Sequence, residues 1–347
     1  MDAIAEELGR SPELFPYVLD LAADSILFTR LKNIDFERAS FLDARLITPQ
    51  TASLMLPWPE VSAAIEAARL AERCGFIFHI GHVGSTLLSR LIGSHGAVFS
   101  LREPVILRTL AQLDGDAPPS WRNCGFDSRL TDCLKLLSRT FAPQQLAVVK
   151  ATSFVSELAA KLLSRPSAPK AVMMYVSPES YIATILGGPN SREEARLFAP
   201  SRLLRLQRRL KVEAWKLASL SEGEVLALSW ACEMSALAQA HAASSVGGRI
   251  LCVDFDRFLI NPAPILAQVL RHFDAPATPN EVLAIINGPL MHRYSKALEH
   301  AYDAALRRDV LNQARALHGS EIMRGLAWLD SAAAQFAAVR EAMMLAQ

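Results

Sequence analysis

Residues 76–91 constrain the fold more than any other part of the chain. They read Phe-Ile-Phe-His-Ile, then Gly81-His82-Val83-Gly84-Ser85-Thr86, then Leu-Leu-Ser-Arg-Leu. A short run of aromatic and β-branched side chains, with Gly75 before it and Gly81 after it, is the pattern of a strand buried on both faces. The spacing after the turn is that of a helix. Glycine lets a backbone curl and come close to a ligand, so successive amides can point inward as a nest. The helix opening at Ser85 adds about half a positive charge at the same spot. Strand, turn and helix together predict a seat for an anion, with the Ser85 and Thr86 hydroxyls as further donors. The plainer alternative is a strand-to-helix turn with Ser85 as N-cap.

Three further apolar runs, at residues 146–149, 171–176 and 250–253, are followed by helical patterns such as 156–163 and 264–273. Strands alternating with helices imply right-handed crossovers and a mainly parallel sheet covered on both faces. The expected fold is an α/β three-layer sandwich with extra helices at both ends. It divides into a helical N-terminal cap (1–74), the α/β core (75–290) and a C-terminal helical extension (291–347). The extension reads as two amphipathic helices parted near His318-Gly319. Residues 225–244 are apolar but carry Glu233, Gln239 and His241, so they read as a buried core helix rather than a membrane span. Arg202, Arg205, Arg208 and Arg209 read as a solvated basic helix face.

Composition narrows the function classes. Apolar residues make up 51% and charged residues 20%, which fits a globular chain. The formal net charge of +1 leaves no global field to recruit nucleic acid or an anionic membrane. An anionic ligand must therefore be held locally. Cys74, Cys124, Cys133, Cys232 and Cys252 form no Cys-x-x-Cys pair and are read as reduced thiols of a cytoplasmic protein. Glu6 and Glu7 near Met1 have the wrong charge for a secretory leader.

A nucleoside triphosphatase turn would read Gly-x-x-x-x-Gly-Lys-Ser/Thr, with its lysine reaching the β- and γ-phosphates. Here Gly84 precedes Ser85, which disfavours triphosphate hydrolysis. The turn resembles instead the 5′-phosphosulfate loop of P-loop sulfotransferases, in which a Lys or Arg precedes a Ser-Gly-Thr-Thr-type run. His82 stands where that family carries its cation, and Gly84-Ser85-Thr86 falls on the Gly-Thr-Thr portion. A histidine there can donate to a bridging oxygen, and it is charged only when a neighbouring anion raises its pKa.

The resemblance also covers Glu103, at a place comparable to the glutamate base of tyrosylprotein-type sulfotransferases. The alternative for Glu103 is a helix-start carboxylate followed by Pro104 at the first helical position. The family's 3′-phosphate arginine and serine correspond to Val176 and Thr184. With valine in the arginine position, the resemblance implies a replacement cation, and Arg192, Arg205 and Lys296 are the candidates. Residues 249–262 resemble the family's late strand and turn, with Asp254 and Asp256 read as structural. Arg293 and Lys296 fall where the family has a late basic loop, and are otherwise surface residues. Lys150, with Thr152 and Ser153, ends a strand run where parallel sheets bind ligands.

The resemblance implies transfer of a sulfuryl group from 3′-phosphoadenosine 5′-phosphosulfate to a hydroxyl or amine of a small-molecule or peptide acceptor, with no metal. Gly81, His82, Val83, Gly84, Ser85, Thr86, Thr184 and Lys296 would bind the donor. His82 and Glu103 would take part in the chemistry. The alternatives are a nucleotide-dependent phosphotransferase on the same P-loop fold and a non-catalytic binder of a nucleotide or partner. Nucleic acid and membrane are not expected partners.

Overall fold

The structure is a computed structural model that describes residues 2–48, 50–116, 125–243 and 248–347. Cys124 and the last residue of the predicted 225–244 helix lie outside the described residues. Among the described residues, eight strands form two sheets: β1 (Leu14–Asp20), β2 (Ser25–Arg30), β3 (Ser53–Pro57), β4 (Gly75–His79), β5 (Val98–Arg102), β6 (Leu146–Lys150), β7 (Ala171–Tyr175) and β8 (Ile250–Asp254). The last five make one parallel sheet in the order β5-β6-β4-β7-β8. Helices flank it, and the chain is a mixed α/β protein of the expected class. β4 lies at the centre, between β6 and β7. The chain leaves β4 toward one edge and returns beyond it on the other, so the carboxyl end of β4 is the switch point where such sheets open a crevice.

Four of the five parallel strands coincide with the apolar runs of the sequence. β5 does not, because Ser100 and Arg102 interrupt its apolar pattern. Both are nevertheless buried. Ser100 Oγ lies 2.6 Å from Ser89 Oγ, and Arg102 Nε donates to the carbonyl of Ala39 at 2.7 Å. The polar groups find partners inside, and the strand tolerates them.

Residues 1–74 differ from the helical cap expected for them. β1, β2 and β3 form an antiparallel sheet, with the helices Asp2–Arg10 and Trp58–Ala67 beside it. Pro16 and the register shift that follows it break the alternation of β1, which hides the strand from a periodicity reading. Core arginines reach out to this unit. Arg139 donates to the carbonyls of Ser11 (3.1 Å) and Leu14 (2.6 Å), and Arg102 Nη2 to that of Phe36.

The helix Glu222–Ala243 is buried along most of its length, as its sequence implies. It crosses the C-terminal helix Ala304–Gln335 at two glycines: a Cβ on Gly223 would collide with the Glu321 backbone, and one on Gly325 with the Gly223 carbonyl. The C-terminal helix leaves helical geometry at His318 (φ −123°, ψ 19°), where the sequence reading parted it.

The basic face of residues 202–209 needs correction. On the helix Pro189–Leu210, Arg202, Arg205 and Arg209 lie three and four residues apart and share one stripe, which is turned inward. Arg205 Nη2 bonds Glu233 at 2.6 Å, Arg202 Nε approaches the same oxygen at 3.3 Å, and Arg205 and Arg209 share Glu157. Glu233 is fully buried and also accepts from Ser156 Oγ at 2.8 Å. Arg208 is the exposed member.

Removing one partner of a buried ion group leaves uncompensated charge and costs about 3–5 kcal/mol. Glu233→Gln should therefore lower the thermal midpoint by several degrees. Arg205 and the other cations hold the Glu233 carboxyl below its ordinary value against a large desolvation cost. That contribution is present above about pH 4.5 and is lost as pH falls through the lowered folded value. Melting curves of Glu233→Gln and the parent from pH 7 to about pH 3 check this, with their difference constant above about pH 4.5 and shrinking below it.

Candidate functional site

A cavity of about 720 Å³ opens at the carboxyl ends of β4, β5 and β6. Gly81 to Thr86, Glu103, Thr184 and Lys296, which the sequence assigned to donor binding or chemistry, all line it. Lys150, Arg205 and Arg293 line it too. Arg192 does not: its guanidinium is held by Glu222, with Nε at 3.0 Å.

The turn has the geometry that its glycines suggest. Gly81 (φ 87°), His82 (φ 54°) and Gly84 (φ 64°) all take positive φ. Gly84 is the residue before the helix Ser85–Gly93, so it and not Ser85 is the N-cap. A Cβ at Gly84 would overlap the ring of Phe255, so glycine is required for both space and conformation. Ser85 and Thr86 open the helix, and both are buried.

Four residues that line the cavity carry a buried polar atom with no hydrogen-bond partner among the described residues: Thr86 Oγ1, His79 Nε2 and Thr152 Oγ1, and Arg205 Nε, whose guanidinium is otherwise bound to Glu233 and Glu157. His79 Nδ1 accepts from the Gly81 amide at 3.0 Å. Desolvation, then the Lys150 and Lys296 charges, hold His79 well below its ordinary pKa, so it is neutral and carries its proton on Nε2. A buried polar atom left unpaired costs about 1–3 kcal/mol.

Glu103 follows β5 with φ 54°, a conformation that costs a non-glycine residue on the order of 1–3 kcal/mol. Its amide donates to the Lys150 carbonyl at 2.7 Å, and its carboxylate pairs with the Lys150 ammonium. Lys150 is only 1% exposed; desolvation pushes its pKa down, opposed by Glu103. Glu103 Oε1 also stands 3.8 Å from His79 Nε2. Sequence reasoning found Glu103 and Lys150 separately but not their pairing, because residues 47 positions apart meet only through the β5–β6 ladder.

His82 sits at the cavity, with Nδ1 3.5 Å from Ser191 Oγ and Nε2 3.8 Å from Glu194. Burial first, then Lys296 and Arg202, lower its pKa to about 3. The histidine in the family's cation position is therefore uncharged before a ligand binds. The nearby positive charge gathers elsewhere: Lys150, Lys296 and Arg45 lie 5.3, 5.8 and 3.8 Å from the centre of the Phe41 ring.

At the other side of the cavity, Thr184 Oγ1 donates to the Ser180 carbonyl at 2.6 Å and faces Arg307 Nη1 at 3.5 Å. Arg307 comes from the C-terminal helix, is 4% exposed and bonds Asp256 at 2.8 Å. The sequence reading missed it because it lies 123 residues beyond Thr184. Val176 is fully buried, and its carbonyl accepts from Trp230 Nε1 at 3.1 Å. Asp254 caps the next helix by accepting from the Arg257 amide at 2.9 Å, the structural role expected of it.

No family model and no curated protein matches the sequence. Among solved structures, the chain is similar to a sulfotransferase domain from the curacin biosynthetic pathway, at 16% identity and a TM-score of 0.41, over 75% of this chain and 99% of that one. It is also similar to the sulfotransferase domain of the Synechococcus PCC 7002 olefin synthase (13%, TM-score 0.40, 74% and 94%). A sulfotransferase from Mycobacterium avium gives 13%, a TM-score of 0.39, and coverage of 74% and 81%.

The depressed pKa of His82 has a measurable consequence. Between about pH 6.5 and pH 3 the unfolded chain binds a proton at this position and the folded chain does not, so stability falls as pH falls, by up to about 1.4 kcal/mol per pH unit. His82→Gln should flatten the slope of unfolding free energy between pH 6.5 and pH 5. A slope unchanged from the parent would mean that His82 titrates normally.

Proposed function

We propose that the protein transfers a sulfuryl group from 3′-phosphoadenosine 5′-phosphosulfate to a hydroxyl acceptor. The observation that carries this reading is the set of three buried, unpartnered groups, Thr86 Oγ1, His79 Nε2 and Thr152 Oγ1, around a turn whose backbone is already curled for an anion. An anionic donor would satisfy them and the first amides of the helix Ser85–Gly93 together. Arg307 and Thr184 suit a second phosphate, and this pair answers the valine at position 176.

The chemistry follows from which groups face the cavity. The Glu103 carboxylate takes the proton of the acceptor hydroxyl as its oxygen attacks sulfur. The new O–S bond forms while the S–O bond to the 5′-phosphate breaks, and the electron pair leaves with the phosphate. Amides of residues 81–86 and the Thr86 hydroxyl meet that growing charge. The Lys150 ammonium lies against Glu103 and holds its carboxylate at the cavity wall.

The cavity carboxylates favour this reading over phosphotransfer with magnesium. Asp43 is bound to Arg45, Glu103 to Lys150, and Glu233 to Arg202 and Arg205, while Asp303 caps a helix. These four of the five carboxylates that line the cavity are committed to a cation or an amide; the fifth, Glu194, stands 3.8 Å from His82.

Thermal unfolding with 3′-phosphoadenosine 5′-phosphate tests the donor. At a hundred times its dissociation constant, a ligand adds about 2.7 kcal/mol, a shift of several degrees. A shift with the bisphosphate and none with ATP and magnesium supports sulfuryl transfer, and the reverse favours phosphotransfer. Glu103→Gln should keep the bisphosphate shift and lower turnover of a phenol acceptor by about 10²-fold or more. Unchanged turnover would remove Glu103 from the reaction.

A further inference from the structure

Two segments distant in sequence close over the anion-binding turn. One is residues 36–42 of the N-terminal unit, which carries Phe41 into the cavity. The other is a hairpin-like loop, residues 292–302. Hydrogen bonds from the Tyr294 amide to the His300 carbonyl (2.8 Å) and from the Tyr302 amide to the His292 carbonyl (3.1 Å) hold it, and Arg293 bridges Ala301. Ser295 and Lys296 lie toward its tip.

Arg90 stands between them. It is on the helix Ser85–Gly93, one turn beyond Thr86, and is 6% exposed. Its Nε donates to the Ser295 carbonyl at 2.9 Å, and its Nη1 to the Glu37 carbonyl at 3.0 Å. Nη2 donates to the Arg38 carbonyl at 3.1 Å and to Ser40 Oγ at 3.0 Å. Ser40 Oγ in turn donates to the Lys296 carbonyl at 2.9 Å. One side chain thus holds both covering segments, and the carbonyls on both sides of the Ser295–Lys296 peptide hang from it. The Lys296 ammonium reaches the Phe41 ring at 5.8 Å, and its charge bears on His79 and His82.

We propose that Arg90 is a positioning residue: it ties residues 37–40 and the loop 292–302 to the helix of the anion turn, and so sets the Lys296 ammonium where a phosphosulfate end would lie. Lys296 then supplies the positive charge that neutral His82 does not. The proposal rests on the donor reading above and adds the device that completes its site. A guanidinium suits the task because its five donors lie in one rigid plane and can serve several carbonyls at once.

The experiment is a double-mutant cycle read by calorimetric titration with 3′-phosphoadenosine 5′-phosphate, beside amide hydrogen exchange on the same proteins. Lys296→Ala should weaken binding about tenfold, the size of one charge-assisted hydrogen bond, and Lys296→Arg should recover most of it. Arg90→Gln should weaken binding about as much, and quicken exchange in residues 37–42 and 293–302 together. On the Lys296→Ala background, Arg90→Gln should add less than about twofold, because its effect runs through the lysine. An arginine with a merely structural role would give the same loss on both backgrounds, and that result overturns the proposal, as does a Lys296→Ala protein that binds like the parent. If Arg90→Gln does not fold, Ser40→Ala removes only the hydroxyl between the guanidinium and the Lys296 carbonyl and makes the same comparison. A parent protein with no affinity for the bisphosphate rejects the donor reading. The exchange data then still decide the clamp, which fails if the two segments do not respond together.

Discussion

A guanidinium taken out of water has to be met by acceptors, and three arginines of the core are met largely by backbone carbonyls. Arg90, Arg102 and Arg139 are 6%, 3% and 7% exposed, and each donates to carbonyls of residues 11–40. Desolvation lowers the pKa of all three. Carbonyls solvate the charge without cancelling it. The N-terminal unit therefore does more than add area. It supplies the lone pairs that the core arginines need, and in doing so brings Phe41, Asp43 and Arg45 to the rim of the cavity.

The same logic explains the cavity. Buried carboxylates meet cations almost pairwise, as in Glu103 with Lys150 and Glu233 with Arg202 and Arg205. The turn at 81–86 differs: Thr86 Oγ1 and His79 Nε2 are buried beside it with no hydrogen-bond partner among the described residues. Both histidines of this region are neutral first because they are buried, and then because Lys296 and other cations stand near them. A bound anion would offset those cations and raise both pKa values, so ligand binding and histidine protonation are linked.

Local patterns made much of this legible. The buried strand β4, the glycine turn and the helix after it are contiguous, so a single segment declares the switch point of the sheet and the turn proposed to seat the anion. Lys150 was readable as the end of a strand, and Gly81, Gly84, Ser85 and Thr86 as the turn itself. What stayed hidden depends on long-range partners. β5 looked unlike a strand until Arg102 found carbonyls of residues 36–39. The stripe of Arg202, Arg205 and Arg209 looked solvated because Glu233 and Glu157 belong to other elements. Arg307 has no local signature, since its role comes from the C-terminal helix lying beside Thr184. The first seventy residues hid a sheet because Pro16 breaks its alternation.

The most direct test of the central claim is a crystal structure of the protein with 3′-phosphoadenosine 5′-phosphate bound. The account predicts the 5′-phosphate within hydrogen-bond distance of Thr86 Oγ1 and the 82–86 amides, and the 3′-phosphate against Thr184 and Arg307. A nucleotide found outside this cavity, or its phosphates placed away from both positions, would contradict it.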